Sequence, residues 1–213
     1  MTTINTQTHT NQRGITMRVL HIRSSARTDN ANSRAIGNYL IEQLNIRATT
    51  RDLASSPLPP ISAEDLVDLH ASNNVDRDSL QKHLAISNQL IDELKSADTL
   101  VIEAPLYNFS VPVVLKQWID MVCRAGNTFR YTADGPEGLT GITQAYIIVT
   151  TGGTPLGSTM DFASEYLAHI CRFIGVTNIA IIDGSGSKRE PQQVVDDATA
   201  QIDQYLQTTV ANI

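Results

Sequence analysis

The chain is poor in cysteine: it has two, Cys123 and Cys171, in 213 residues. No C-x-x-C pair occurs, and no Cys/His set has zinc-ligand spacing. That excludes a disulfide scaffold and a structural zinc, and it fits a reducing compartment. Cys123 falls on a predicted helix and reads as packing. Positive charge is also in short supply. Sixteen Lys and Arg face 22 Asp and Glu, giving a net charge of −6. A field of that sign attracts neither nucleic acid nor an anionic membrane. No run is long and apolar enough to span a bilayer. Met1–Thr16 lacks the apolar core of a secretory signal, so a cytoplasmic protein is expected. There is no G-x-x-x-x-G-K-[ST] phosphate loop and no G-x-S-x-G elbow. The five histidines, His9, His21, His70, His83 and His169, have no metal-binding spacing. His169 has apolar neighbours and reads as packing, and Trp118 as core or subunit contact.

What remains is an ordinary globular composition, 41% apolar and 18% charged. Residues 1–16 are polar and aperiodic, and are expected to be a disordered extension ahead of one domain over 17–213. Strand patterns are predicted at Arg18–Ile22, Ala48–Leu53, Asp98–Glu103, Gln144–Thr150 and Thr177–Asp183. Helical patterns are predicted at Asn32–Leu44, Ser79–Ser96, Val113–Arg124, Thr159–Ile174 and Pro191–Leu206. Asn32 and Ser33 would cap the first of them. A short acidic helical piece follows Pro57, Pro59 and Pro60, and Gly126–Gly141 is a long excursion. Strands alternating with helices imply βαβ units. The fold class is α/β: a doubly wound, five-stranded parallel sheet with helices on both faces, in flavodoxin-like or Rossmann order.

In such a sheet every loop after a strand lies on one rim. Three of these loops carry candidate chemistry. Ser24–Ser33 holds Ser24, Ser25, Thr28, Asn30, Asn32 and Ser33 just ahead of a helix. Hydroxyls and amides at a helix start bind phosphate, although an elaborate cap would use the same residue types. Pro105–Phe109 follows the third strand. There Pro105 stops the ladder, Asn108 can both donate and accept, and Tyr107 and Phe109 offer aromatic faces. Turn chemistry with core aromatics would look alike. Thr150-Thr151-Gly152-Gly153 follows the fourth strand, and paired glycines let a main chain approach a ligand closely. Gly184-Ser185-Gly186 starts like a dinucleotide fingerprint, but Arg189 stands where the third glycine belongs, so it reads as a turn.

The blocks Ala104-Pro-Leu-Tyr-Asn-Phe109, Leu115-Lys-Gln-Trp-Ile-Asp120, Arg124-Ala-Gly-Asn-Thr-Phe-Arg-Tyr131 and Gly135-Pro-Glu-Gly-Leu139 resemble the FMN-dependent NADH-azoreductase and NADH:quinone oxidoreductase family. The resemblance runs in register over roughly residues 17 to 210. It implies the flavodoxin-like choice of fold. It also implies an FMN phosphate site at Ser25, Ala31, Asn32 and Ser33, where Ala31 lacks a hydroxyl that the family often carries. The flavin ring is implied to lie against Leu106, Tyr107, Asn108 and Phe109, with Thr150, Thr151, Gly152 and Gly153 at its pyrimidine edge. The resemblance further implies a homodimer with the site at the subunit interface, and Phe129 and Tyr131 lining the substrate pocket. The implied activity is two-electron, ping-pong reduction of quinones and azo compounds by NADH, with the hydride carried by the flavin and no catalytic side chain. The alternative is a non-catalytic flavodoxin-like electron carrier or redox sensor. A hydrolase has no triad or metal cluster to support it.

Overall fold

Elements alternate along the chain as β1 (Val19–Arg23), α1 (Asn32–Leu44), β2 (Thr49–Asp52), α2 (Ala63–Ala71), α3 (Asp78–Lys95), β3 (Thr99–Pro105), α4 (Val113–Val122), β4 (Phe129–Thr132), β5 (Gly135–Gly138), β6 (Gln144–Thr151), α5 (Ser164–Phe173), β7 (Asn178–Ser185) and α6 (Pro191–Ala211). This computed structural model describes residues 17–71, 76–186 and 189–211. The expected extension at 1–16 lies outside the described residues. Five strands pair in parallel in the order β2-β1-β3-β6-β7. That is the flavodoxin-like order, and it removes the Rossmann alternative.

Strand side chains alternate faces. Leu20, Ile22, Leu100, Ile102, Ala145, Ile147 and Val149 pack with α3, α4 and α5 on one side. Val19, Val101, Tyr146, Ile148 and Ile182 pack with Ile36 and Leu40 of α1 and Ala198 and Ile202 of α6 on the other. Each fully buried aliphatic side chain contributes about 1.5–3 kcal/mol. Trp118 is in the core of the first side. No helix among the described residues is long and apolar enough to cross a membrane.

Several boundaries differ from the sequence reading, each for a physical reason. Strand β3 does not stop at Glu103. Pro105 pairs in register with Thr150, and the next amide, Leu106 N–H, donates to Thr150 O at 2.8 Å. Pro105 therefore ends the strand without breaking the ladder to β6. The cap of α1 is Ala31, with no side-chain cap hydrogen bond, and Asn32 and Ser33 lie inside the first turn. The helix expected from Thr159 begins at Ser164. Asp161 accepts from the amides of Gly157, Ala163 and Ser164, holding residues 157–163 as an irregular loop. The excursion at 126–141 contains an antiparallel hairpin, β4–β5. It is seated on α5 through a backbone contact: a Cβ on Gly138 would lie 2.1 Å from Gly175 N.

Candidate functional site

The carboxyl rim of the sheet carries a cleft of about 470 Å³. Its lining brings together the three loops that the sequence keeps far apart: Ser25, Ala31, Asn32 and Ser33; Pro105, Leu106 and Tyr107; Thr150, Thr151 and Gly152. Asn108, Phe109 and Gly153 stand beside these residues in the chain but are not part of the lining.

The α1 end of the cleft is buried and tied down. Ser24 Oγ donates to the Glu103 carbonyl at 2.6 Å, fixing the loop to β3. Arg34 Nη1 meets Asp52 Oδ2 at 2.6 Å, and Arg34 Nε donates to Arg27 O at 2.9 Å. Burial alone would raise the Asp52 carboxyl. The hydrogen bonds from Arg34, Ser55 and Ala54 outweigh it and hold the group at about 2. Beneath α1, His21 Nε2 lies 2.8 Å from Glu103 Oε1, and Arg23 Nε lies 3.3 Å from the same oxygen. Gly37 makes room for this pair, since a Cβ there would fall 2.3 Å from Glu103 Oε1. A glycine inside a helix costs about 1 kcal/mol relative to alanine, and the clash is the reason it is kept.

Ser33 is 2% exposed, and its Oγ has no hydrogen-bond partner among the described residues. A buried hydroxyl left unpaired costs about 1–3 kcal/mol. It sits in the first turn of a helix with no side-chain cap, where backbone N–H groups also lack intrahelical partners. These donors fit an anionic group of a ligand.

The β3 end is open. Tyr107 is 40% exposed, and its hydroxyl accepts from Ala26 N–H at 3.1 Å, tying the first loop to the second. Tyr107 and Ser110 exchange backbone hydrogen bonds around Asn108 (φ 49°) and Phe109 (φ 71°). Two successive left-handed residues make a type I′ turn. Phenylalanine in that region is strained. Phe109 is 50% exposed, and its carbonyl accepts from Phe162 N–H at 3.1 Å.

The hairpin residues part company. Phe129 is buried, with its ring 4.2 Å from that of Phe173, so it anchors the hairpin to α5. Tyr131 is 75% exposed, with its ring edge-on to that of Phe129 at 5.4 Å. Neither lines the cleft of a single chain. His169, on α5, is exposed, with its ring near-parallel to Phe173 and outside the cleft. Burial first, and then Asp120, pushes the Cys123 thiol up to about 12, which keeps it protonated at neutral pH.

The far wall was missed in the sequence. Gly184, Gly186, Arg189, Pro191 and Val194 line the cleft from the β7–α6 connection. Gly184-Ser185-Gly186 is more than a turn, because β7 runs to Ser185 and pairs beside β6. A Cβ on Gly184 would meet Thr150 Cγ2 at 2.7 Å and Ile36 Cδ1 at 3.1 Å. Only strand order could have revealed this wall.

Fold and cleft together define a doubly wound α/β protein with a cleft at the carboxyl rim of its sheet, where such folds hold ligands. A family model described as flavodoxin-like fold matches residues 17–206, and the chain belongs to that family. Among curated relatives, it is 40% identical over 190 residues to FMN-dependent NADH:quinone oxidoreductase 1 of Hahella chejuensis, covering 87% of this chain and 93% of that protein. It is 42% identical over 168 residues to FMN-dependent NADH:quinone oxidoreductase of Erythrobacter litoralis, covering 77% and 85%. Among solved structures, an FMN-dependent NADH-azoreductase from Bacillus anthracis in complex with FMN superposes with a TM-score of 0.77 at 22% identity, covering 91% of this chain and 99% of that one.

Proposed function

We propose that this protein is an FMN-dependent NADH:quinone oxidoreductase that also reduces azo compounds. The observation that supports this best is the cleft itself. Three loops distant in sequence meet there, with unpaired buried donors at one end and an exposed aromatic at the other. Ser25, Asn32 and Ser33, with the first amides of α1 from Ala31 onward, would hold the phosphate. Leu106, Tyr107, Asn108 and Phe109 would support the ring, and Thr150, Thr151, Gly152 and Gly153 its polar edge. When bound there, FMN would supply the two-electron redox chemistry that links NADH to a quinone or azo compound in a ping-pong cycle.

The residues of the chain position and exclude. Pro105 and Leu106 are largely shielded at the end of β3, so they keep water from the floor of the cleft. Amides at Thr150–Gly152 would act as fixed donors toward negative charge developing at the polar edge. Among the described residues the lining contains no Asp, Glu, His or Lys, and in this reading solvent supplies the protons.

The same reading makes the protein a homodimer. Phe109, Val113, Tyr131, Met160 and Phe162 are large apolar side chains left exposed. A second copy covering them would bring Tyr131 to its neighbour's cleft, while Phe129 supports the hairpin from below. Two free cysteines fit a cytoplasmic location.

Purified protein titrated with FMN and then with NADH tests the assignment. The expected result is a yellow complex that bleaches with NADH and regains colour on adding a quinone. A protein that binds no FMN and shows no NADH-dependent quinone reduction overturns it. Light scattering on the same sample should give twice the chain mass, and a monomer would remove the dimer.

A further inference from the structure

We propose that Arg27 and Arg189 form a two-sided cationic clamp on a phosphate monoester held at the start of α1. The assignment of that phosphate to the flavin rests on the function proposed above. The clamp itself rests on this cleft.

Among the described residues the cleft lining contains two arginines and no carboxylate, in a chain of net charge −6. Positive charge has been concentrated at one place against the overall balance. The two arginines come from opposite walls. Arg27 belongs to the β1–α1 loop, six residues ahead of Ser33. Arg189 belongs to the β7–α6 connection, where its N–H donates to Gly186 O at 3.0 Å. The close approach of Gly184 to Ile36 presses this connection against the first turns of α1. Both arginines therefore line the same cleft as Ser33, whose Oγ is buried and unpaired.

A doubly charged phosphate gains from positive charge added to the neutral donors there. Ala31 brings no hydroxyl, and the nearby Arg34 is already engaged with Asp52. Arg27 makes no ion pair with any described residue. Arg189 pairs with Asp197, but both side chains are well exposed. An exposed pair of that kind is worth little, so Arg189 can exchange it for phosphate. The flat guanidinium fork matches phosphate oxygens two at a time.

The test is fluorescence titration of the full chain, freed of flavin, with FMN and with riboflavin, which lacks the phosphate. Arg27→Ala and Arg189→Ala are each expected to weaken FMN binding about tenfold and the pair of changes further. Riboflavin affinity should not move in any of these variants. Added salt should weaken FMN binding to the unaltered protein more than to the double variant. Asp197→Asn works in the opposite direction, releasing Arg189 and tightening FMN. Unchanged FMN affinity in both single variants overturns the clamp, as does an equal loss for riboflavin. A loss confined to the KM for NADPH over NADH overturns it too, because the phosphate gripped would then be that of the nucleotide. If the unaltered protein binds neither flavin, it is the proposed function that fails.

Discussion

The two ends of the cleft are built in opposite ways. At the α1 end the polar groups are buried and already bonded into place: Ser24 to Glu103, Arg34 to Asp52, with His21 and Glu103 beneath. At the β3 end Tyr107 and Phe109 stand in solvent on a strained two-residue turn. The first end needs no reorganisation to receive a charge, so it suits a group that stays. The second end leaves the ring of Tyr107 open to the cleft, which in the proposed function would suit partners that come and go. Rigid burial and open exposure thus divide the labour within one cleft.

The largest effect should come from breaking the buried support of the first end. Glu103→Ala strands His21 and Arg23 under α1, and removing one partner of a buried pair costs about 3–5 kcal/mol. Urea unfolding reads this directly. A loss below about 1 kcal/mol would mean that the pair does not hold this end. Ser33→Ala separates binding from folding. FMN affinity should fall about tenfold while the flavin-free protein loses no stability, because the hydroxyl has no internal partner to lose. Equal FMN affinity would break the proposed contrast between the ends.

Acid sharpens the comparison further. The folded Asp52 carboxyl sits at about 2, below its ordinary 3.8. Its contribution to stability is therefore complete above the unfolded value and drains away as pH falls from about 4 toward 2. Acid unfolding of Asp52→Asn should lack that share of the transition. An identical acid curve would show that the Arg34–Asp52 tie adds nothing. The smallest effect belongs to the open end. Phe109→Gly removes a left-handed penalty and should raise stability by about 1 kcal/mol. Turnover with NADH should fall more than FMN affinity does. A loss of stability would show that the ring of Phe109 packs more than it strains.

Much of this architecture was legible in the sequence, and the gaps have physical causes. The periodic apolar pattern of Ile36, Leu40 and Leu44 gave α1 its observed bounds, because one face of that helix packs on the sheet. The β4–β5 hairpin escaped notice because each strand has four residues and β5 reads Gly-Pro-Glu-Gly, with no alternation to detect. Residues 159–163 resembled a helix start, yet Asp161 takes the amides that a helix would need to continue backward. The three cleft loops could be named from hydroxyls, aromatics and glycines. The fourth wall could not, since Gly184 and Arg189 gain meaning only when β7 is laid beside β6. Phe129 and Tyr131 looked equivalent, two residues apart on one strand. The contact with Phe173 buries the first, while the second meets Phe129 edge-on and stays exposed.

The alanine at the head of α1 has a consequence for the life of the whole chain. Its methyl cannot satisfy the terminal peptide groups that serine or aspartate would close from within. In the proposed function a bound anion would complete the turn instead, and coenzyme supply and thermal resistance would become linked quantities. Each tenfold rise of free ligand above its dissociation constant adds about 1.4 kcal/mol to the folded state. Heat tolerance would then rise with the logarithm of available FMN, making the coenzyme a component of the fold as well as its reagent.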